Sequence, residues 1–280
     1  AHVSELSRCN TAEKVVTTLL SCVYQSTRNS SDTTRQAARG LSAALKASYF
    51  GFDVDAIARD YQELVSSQLG RQLTWGKDDI ALQNIQARVR SPGIWMLANL
   101  RRALLLSTSN RSEAAVGYAT MDGDTSGGLS PIAGVDKAFL RRWLEWLEKA
   151  GPEEQGAVAA LSHVNAQHPT AELRPPDQEQ TDEGDLMPYD LLDAIERAAI
   201  GDKKSPLEVF RLMEGRFGQY SRQQLGKWVQ KFFVLWCRNQ WKRERYAPGF
   251  HVDDKNLDPK TWCRFPILSG AFRTELDELL

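Results

Sequence analysis

The sequence offers little to chemistry built on sulfur or imidazole. Its four cysteines, Cys9, Cys22, Cys237 and Cys263, lie far apart and form no Cys-x-x-Cys pair, which argues against a zinc site or a secreted disulfide framework. Of its four histidines, His163 and His168 have no ligand partner at metal spacing, so no metalloenzyme is expected on their account. Long apolar runs are absent, as is a basic-then-apolar N-terminus, and neither a membrane span nor export is expected. Charge of one sign is also missing. Lys and Arg number 35 against 36 Asp and Glu, a formal net charge of −1. Nothing therefore draws the whole chain to nucleic acid or an anionic membrane, and any anion site must be local. A reduced, cytoplasmic compartment is expected.

What is present is an ordinary globular composition, 42% hydrophobic and 25% charged over 280 residues, enough for one large α/β domain or two small ones. Val15 to Tyr24 is rich in β-branched and apolar residues and predicts a buried strand. Asp32 to Lys46 has helical spacing, and Ser48 to Val54 predicts a second strand, together a βαβ unit. Asp55 is placed to cap a helix that runs to about Leu69 and stops at Gly70. Asp78 and Asp79 open a longer helix that Pro92 should break between Arg90 and Ile94. Ala103 to Leu106 predicts a short strand, Ser112 to Ala119 a helix, and Asp136 to Lys149 an amphipathic packing helix ended by Gly151-Pro152. Gln167 to Pro188 has no apolar period and reads as a long loop. Helices follow near Leu186 to Ala199, Pro206 to Gly215 and Gln223 to Arg243. The alternation implies a doubly wound parallel sheet with a helical C-terminal part, ligands lying at the carboxyl ends of the strands.

One of those strand ends opens into a polar, glycine-rich stretch, Leu104 to Lys137. It supplies the Thr108 hydroxyl, the Glu113 and Asp124 carboxylates and the Lys137 ammonium, groups suited to a metal-bound polyphosphate. Simpler readings exist: Glu113 complements a helix dipole, and Asp124 shapes a turn. Lys137 at a helix N-terminus opposes the dipole, a local conflict of the kind found at functional positions.

The segments NIQARVR, STSNRSEAAVGY, PTAELRP, TDEGDLMPYDLLDAIE and WCRNQWKRERYAP, in that order, resemble the synthetase domain of NAD synthetase, especially the glutamine-hydrolysing bacterial type. The resemblance implies an adenine nucleotide alpha-hydrolase-like sheet and an ATP pyrophosphatase. Such enzymes adenylate the nicotinate carboxylate of deamido-NAD and let ammonia attack it, yielding NAD, AMP and pyrophosphate. It implies ATP and Mg2+, a homodimer or higher homo-oligomer, and ammonia drawn from glutamine by a nitrilase-like glutaminase domain. Carried onto this sequence, Thr108, Lys137 and Thr170 contact ATP and Glu113 binds the metal. Asp124 is a second metal or carboxyl-positioning acid, and Arg88, Lys242 and Arg243 contact deamido-NAD. Glu172 and Arg174 could pair with each other.

Departures are visible as well. Trp241 stands where the family often has histidine, and Gly128 where others have aspartate. The SGG at Ser126 to Gly128 is not the family's pyrophosphate loop, SGGxDS, which is missing with its strand. The expectation is therefore an N-terminally truncated NAD synthetase domain over 1–280, with an α/β nucleotide-binding part at 1–150 and a loop-rich helical part at 151–280. Alone it should turn over deamido-NAD negligibly. Alternatives are another ATP pyrophosphatase, such as a GMP synthetase or a tRNA-thiolating enzyme, or a non-catalytic nucleotide-binding or dimerisation module.

Overall fold

The computed structural model describes residues 3–175, 181–261 and 269–279. Cys263 and the stretch 176–180 of the long loop lie outside them. The chain forms two compact units, one from residues 1–94 and 141–180, the other from 95–140 and 181–280.

The first unit holds the βαβ element. Strands β1 (Ser21–Ser26) and β2 (Ser48–Asp53) pair in parallel, with Ser21 opposite Ser48 and Ser26 opposite Asp53, and the helix Asp32–Ala44 crosses between them. Ser31 caps that helix by accepting from the Thr34 N–H, satisfying one donor left orphaned at the helix start. The expected strand from Val15 begins later: Ala12–Leu19 is helical and only Ser21–Ser26 is extended. Thr11 caps this helix through the Lys14 N–H, and the Thr17 hydroxyl donates back to the Glu13 carbonyl at 2.9 Å. Local caps outweigh the β-preference of Val15, Val16 and Thr17.

Helix Asp55–Leu69 ends at Gly70, whose φ of 63° is left-handed, a conformation glycine adopts at no steric cost. Asp55 does not cap it. Its carboxylate accepts instead from Arg28, with Nε at 3.0 Å and Nη2 at 2.9 Å, and this pairing, partly offset by desolvation, holds the carboxyl below the ordinary aspartate value. The next helix starts at Trp75, ahead of Asp78. The Asp78 carboxylate folds back onto the Thr74 N–H at 2.9 Å and Arg71 at 2.7 Å. The break falls at Val89, one residue earlier than expected, between Trp75–Arg88 and Arg90–Arg101. Pro92 thereby sits in a first turn, where its missing N–H costs no hydrogen bond.

In the second unit Tyr189–Glu196, Pro206–Arg216 and Arg222–Arg238 pack around a continuous apolar core. Leu191, Leu192, Ile195, Val229 and Phe232 are fully buried there, each contributing on the order of 1.5–3 kcal/mol by removal from water. Phe232, Phe233 and Trp236 accordingly belong to this core. The expected strand Ala103–Leu106 shrinks to one parallel bridge, Leu106 with Leu129. Gly127 lies so close to it that a Cβ would stand 2.7 Å from the Ser107 nitrogen. The expected helix to Arg243 divides at Asn239, whose side-chain amide donates to the Val116 carbonyl at 2.7 Å.

Candidate functional site

The site grows from the first turn of one short helix, Arg111–Val116. Asn110 accepts from the Glu113 N–H while the Glu113 carboxylate accepts from the Asn110 N–H, a reciprocal cap. Glu113 thus does what the simpler reading predicted of it, and one oxygen remains for more. That oxygen, Oε1, lies 2.8 Å from Lys137 Nζ. Lys137 opens the helix Lys137–Lys149, and its Nζ is also 3.9 Å from the buried Asp182. Both members of the pair keep about a fifth of their side-chain surface exposed (21% and 20%), so a ligand can reach them.

The N-terminus of the lysine-bearing helix is capped from a distance. Ser112 Oγ accepts the Lys137 N–H at 2.9 Å and donates to Asp193 Oδ1 at 2.7 Å, and Asp193 Oδ2 accepts the Ala138 N–H at 3.1 Å. One hydroxyl and one carboxylate thus take the first two N–H groups of the helix, and the Asp193 carboxylate offsets the unfavourable ammonium there.

Arg111 points inward. Only 2% exposed, it donates from Nε to Asp136 at 2.6 Å, from Nη1 and Nη2 to Asp253 at 2.5 and 2.9 Å, and from Nη1 to the Lys255 carbonyl at 3.0 Å. The Lys255 ammonium, itself buried, returns to Asp136 at 2.6 Å. Burial alone would lower the arginine's pKa, but its bonds to Asp136 and Asp253 outweigh that and raise it. Asp136, Asp193 and Glu196 converge closely enough to hold a metal. The cations beside them are those of the protein, with Glu196 3.1 Å from Arg111 Nε and 3.4 Å from Lys255 Nζ.

Glu196 is fully buried, and neither of its oxygens makes a well-directed hydrogen bond. Burial, aided by Asp136 and Asp193 and opposed by Lys255 and Arg111, pushes its carboxyl up to about 8 from 4.5. The folded state then binds a proton that the unfolded chain releases, so this group's contribution to stability falls as pH rises from about 4.5 to about 8. Glu196→Gln keeps the shape without the titration. The urea midpoint of the unaltered protein should fall relative to that of the variant between pH 5 and pH 9, and parallel midpoints would show that Glu196 holds no such proton.

Asp124 accepts the Thr120 N–H at 2.7 Å, the turn role that the sequence allowed. Protein atoms crowd it and raise its carboxyl above the ordinary value, with the Thr120 bond opposing. Its surface is nonetheless exposed, and solvent screening mutes the effect. Glu113 is near enough to act on it electrostatically. Thr108 is exposed just beyond the Leu106 bridge. The Lys242 ammonium donates to the Gly117 and Ala119 carbonyls at 2.6 and 2.7 Å. Arg243 is buried, bonding to the Ala115 carbonyl at 2.8 Å, to Gln240 at 3.1 Å and to the Trp236 carbonyl. Its guanidinium lies over the Trp236 ring.

In the first unit Arg88 is exposed at the end of its helix, and Thr170, also exposed, accepts the Glu172 N–H at 3.3 Å. Glu172 and Arg174 do not bond to each other. The Glu172 carboxylate sits at the start of helix Asp32–Ala44, accepting from the Ser31 N–H at 3.3 Å and the Thr34 hydroxyl at 3.0 Å. Arg174 reaches Asp79 at 3.1 Å. A helix N-terminus is a better partner for the carboxylate than a neighbouring side chain two residues away. A pocket lined by Thr27, Arg28, Ser30, Ser31 and Asp53 opens at the carboxyl ends of β1 and β2, the usual ligand position of a parallel sheet.

Sequence reading missed Arg111, Asp136, Asp193, Glu196, Asp253 and Lys255 as a group. Asp136 preceding Lys137 at a helix start was the available signal. Nothing in HVDDKNLDP marks Lys255 as buried.

Residues 8–244 match the family described as NAD synthase. A glutamine-dependent NAD(+) synthetase of Aquifex aeolicus is 30% identical over 251 residues, 90% of this chain and 40% of that protein. Another from Synechocystis is 35% identical over 176 residues, 63% of this chain and 28% of that protein. The crystal structure of a glutamine-dependent NAD(+) synthetase from Cytophaga hutchinsonii has a TM-score of 0.82 at 48% identity, over 95% of this chain and 42% of that one. An NMN synthetase structure from Francisella tularensis, with a TM-score of 0.51 at 22% identity over 65% of this chain and 68% of that one, shares the fold alone. The chain spans 40% or less of the length of these two curated relatives. Among the described residues no helix is long and apolar enough to cross a membrane. With the family match running over most of its sequence, the chain belongs to the NAD synthase family.

Proposed function

We propose that this chain carries the ATP-dependent amidation of deamido-NAD to NAD. A carboxylate cannot expel oxide. Its oxygen therefore first attacks the α-phosphorus of ATP, releasing pyrophosphate, and ammonia then attacks the acyl carbon and expels AMP. The observation that carries this reading is the Lys137–Glu113 pair, an ammonium 2.8 Å from a partly exposed carboxylate where two helices begin. In this reading the Lys137 ammonium stabilises charge that accumulates on the phosphates during transfer. Thr108 and Thr170 contact ATP, and Arg88 grips the dinucleotide with its planar fork.

Magnesium prefers hard oxygen donors, and the carboxylates of Glu113 and Asp124, the first near enough to act on the second, supply them. Glu113 would hold the ion, and Asp124 would assist or position the substrate carboxyl. When bound, the ion neutralises polyphosphate charge. Lys242 and Arg243 have their charges committed to carbonyls and side chains of the same unit. In this proposal they shape the wall of the site and reach deamido-NAD only by exchanging those bonds.

The β1–helix–β2 element would be part of a doubly wound sheet of the adenine nucleotide alpha-hydrolase type. Ammonia would come from glutamine through a nitrilase-like glutaminase domain. Phe139 and Trp143, 52% and 43% exposed on one helix, support a homo-oligomer, since aromatic stripes of that kind are covered in assemblies. Isothermal titration of the full-length protein tests the substrate: deamido-NAD should bind in preference to xanthosine monophosphate. The reverse preference would favour a GMP synthetase, and binding of neither would remove the amidation reading.

A further inference from the structure

We infer that Arg111, held by Asp253 and Asp136, is a positioning residue that sets the Lys137–Glu113 pair for phosphate. The inference rests on the proposed role of that pair.

Four consecutive residues divide the work at this joint. Asn110 caps its own helix, Arg111 turns inward, Ser112 binds the Lys137 N–H, and Glu113 meets the Lys137 ammonium. Arg111 also joins the joint from the main chain, its N–H donating to the Val135 carbonyl at 3.0 Å. Its side chain holds Asp136, the residue immediately before Lys137, at 2.6 Å. A single arginine thus fixes both helix starts, the one bearing Glu113 and the one bearing Lys137.

The guanidinium is in turn oriented by residues far along the chain. Asp253 receives two parallel N–H bonds, the bidentate geometry that fixes an arginine in rotation as well as position. Lys255 supplies its carbonyl to Arg111 and its ammonium to Asp136, closing a ring through three acidic or basic side chains. Among the described residues no hydrogen bond or ion pair joins Asp253 or Lys255 to Lys137 or Glu113, so their influence on that pair passes through Arg111 and Asp136.

Asp253→Asn tests this in the full-length protein. It keeps the side chain's size and weakens the bidentate grip, and the position is 42% exposed, so folding should survive. With ammonia as the nitrogen source, kcat should fall about tenfold while KM for deamido-NAD stays within about twofold, because misplacing a group that acts on the transition state lowers turnover rather than ground-state binding. The same substitution is then made in a Lys137→Ala background. If Asp253 acts through Lys137, it has little left to remove, and the double variant should match Lys137→Ala within about twofold. An undiminished further tenfold loss in that background would overturn the inference, as would an unaltered kcat in the single variant. Lys255→Gln, which loosens Asp136 from the other side, should reproduce the pattern and serves if Asp253→Asn folds poorly. Wild-type turnover in Lys137→Ala itself would instead overturn the proposed site, an outcome separate from failure of the coupling.

Discussion

Replacing Lys137 by alanine is expected to lower ammonia-dependent NAD formation by the full-length protein about 10²–10³-fold, the usual effect of deleting one preorganised charge from a transition state. The fold should be preserved, because Lys137 is a partly exposed helix-start residue whose removal leaves the Ser112 and Asp193 caps in place. An ammonium at a helix N-terminus is not there for the stability of that helix, so the variant could even gain slightly in unfolding midpoint. Glu113→Gln should also lose turnover while keeping most of its capping bond to the Asn110 N–H. The measurement is NAD formation at saturating ATP and deamido-NAD together with a urea unfolding curve. Rates near wild type in both variants would remove the pair from the reaction.

Arg111→Met should cost about 3–5 kcal/mol of stability, the range found when one partner is taken from a buried ion pair. The physical reason is what stays behind. Asp136 keeps only Lys255 as a counter-charge, and the Lys255 carbonyl loses the guanidinium donor it accepts from. Asp253, 42% exposed, can be rescued by water and should add little to the loss. Equilibrium urea unfolding of the full-length protein would measure it, and a change below about 1 kcal/mol would mean that the cluster's desolvation cost nearly cancels its attraction. The two substitutions separate roles that sit 26 residues apart in sequence and meet at one joint: Lys137 is expected to matter for turnover, Arg111 for both folding and the placement of Lys137.

Local chemistry explains what could be read in advance. The helix Asp32–Ala44 and its flanking strands follow from periodicity, and Gly70 ends its helix with a φ of 63° as turn chemistry requires, whereas the helix expected to reach Ala119 stops at Gly117 with a φ of 66°. The reciprocal cap of Asn110 and Glu113 lies within four residues, within reach of a sequence argument. The misreadings arose where two local preferences competed. Val15 to Leu19 favours a strand by side-chain branching, but the Thr11 cap starts a helix that runs through it. Asp55 looks like a cap until Arg28 claims it from 27 residues away.

Several ordered motifs were enough to place the chain in its family and to single out the side chains that matter, because hydroxyls, carboxylates and ammonium groups keep their chemistry wherever they lie. The sequence also specifies most helices, whose caps and apolar periods are short-range. Which charges are available and which are spent depends instead on long-range packing. Lys137 and Lys242 are equally basic on the page, yet one faces a partly exposed carboxylate and the other is taken by two carbonyls. Asp253 and Lys255 look like solvated residues in a polar tail, yet they grip an arginine 142 and 144 positions earlier. Such partners are set by the packing of distant segments, where loss of water makes pairing obligatory, and no short-range pattern encodes that.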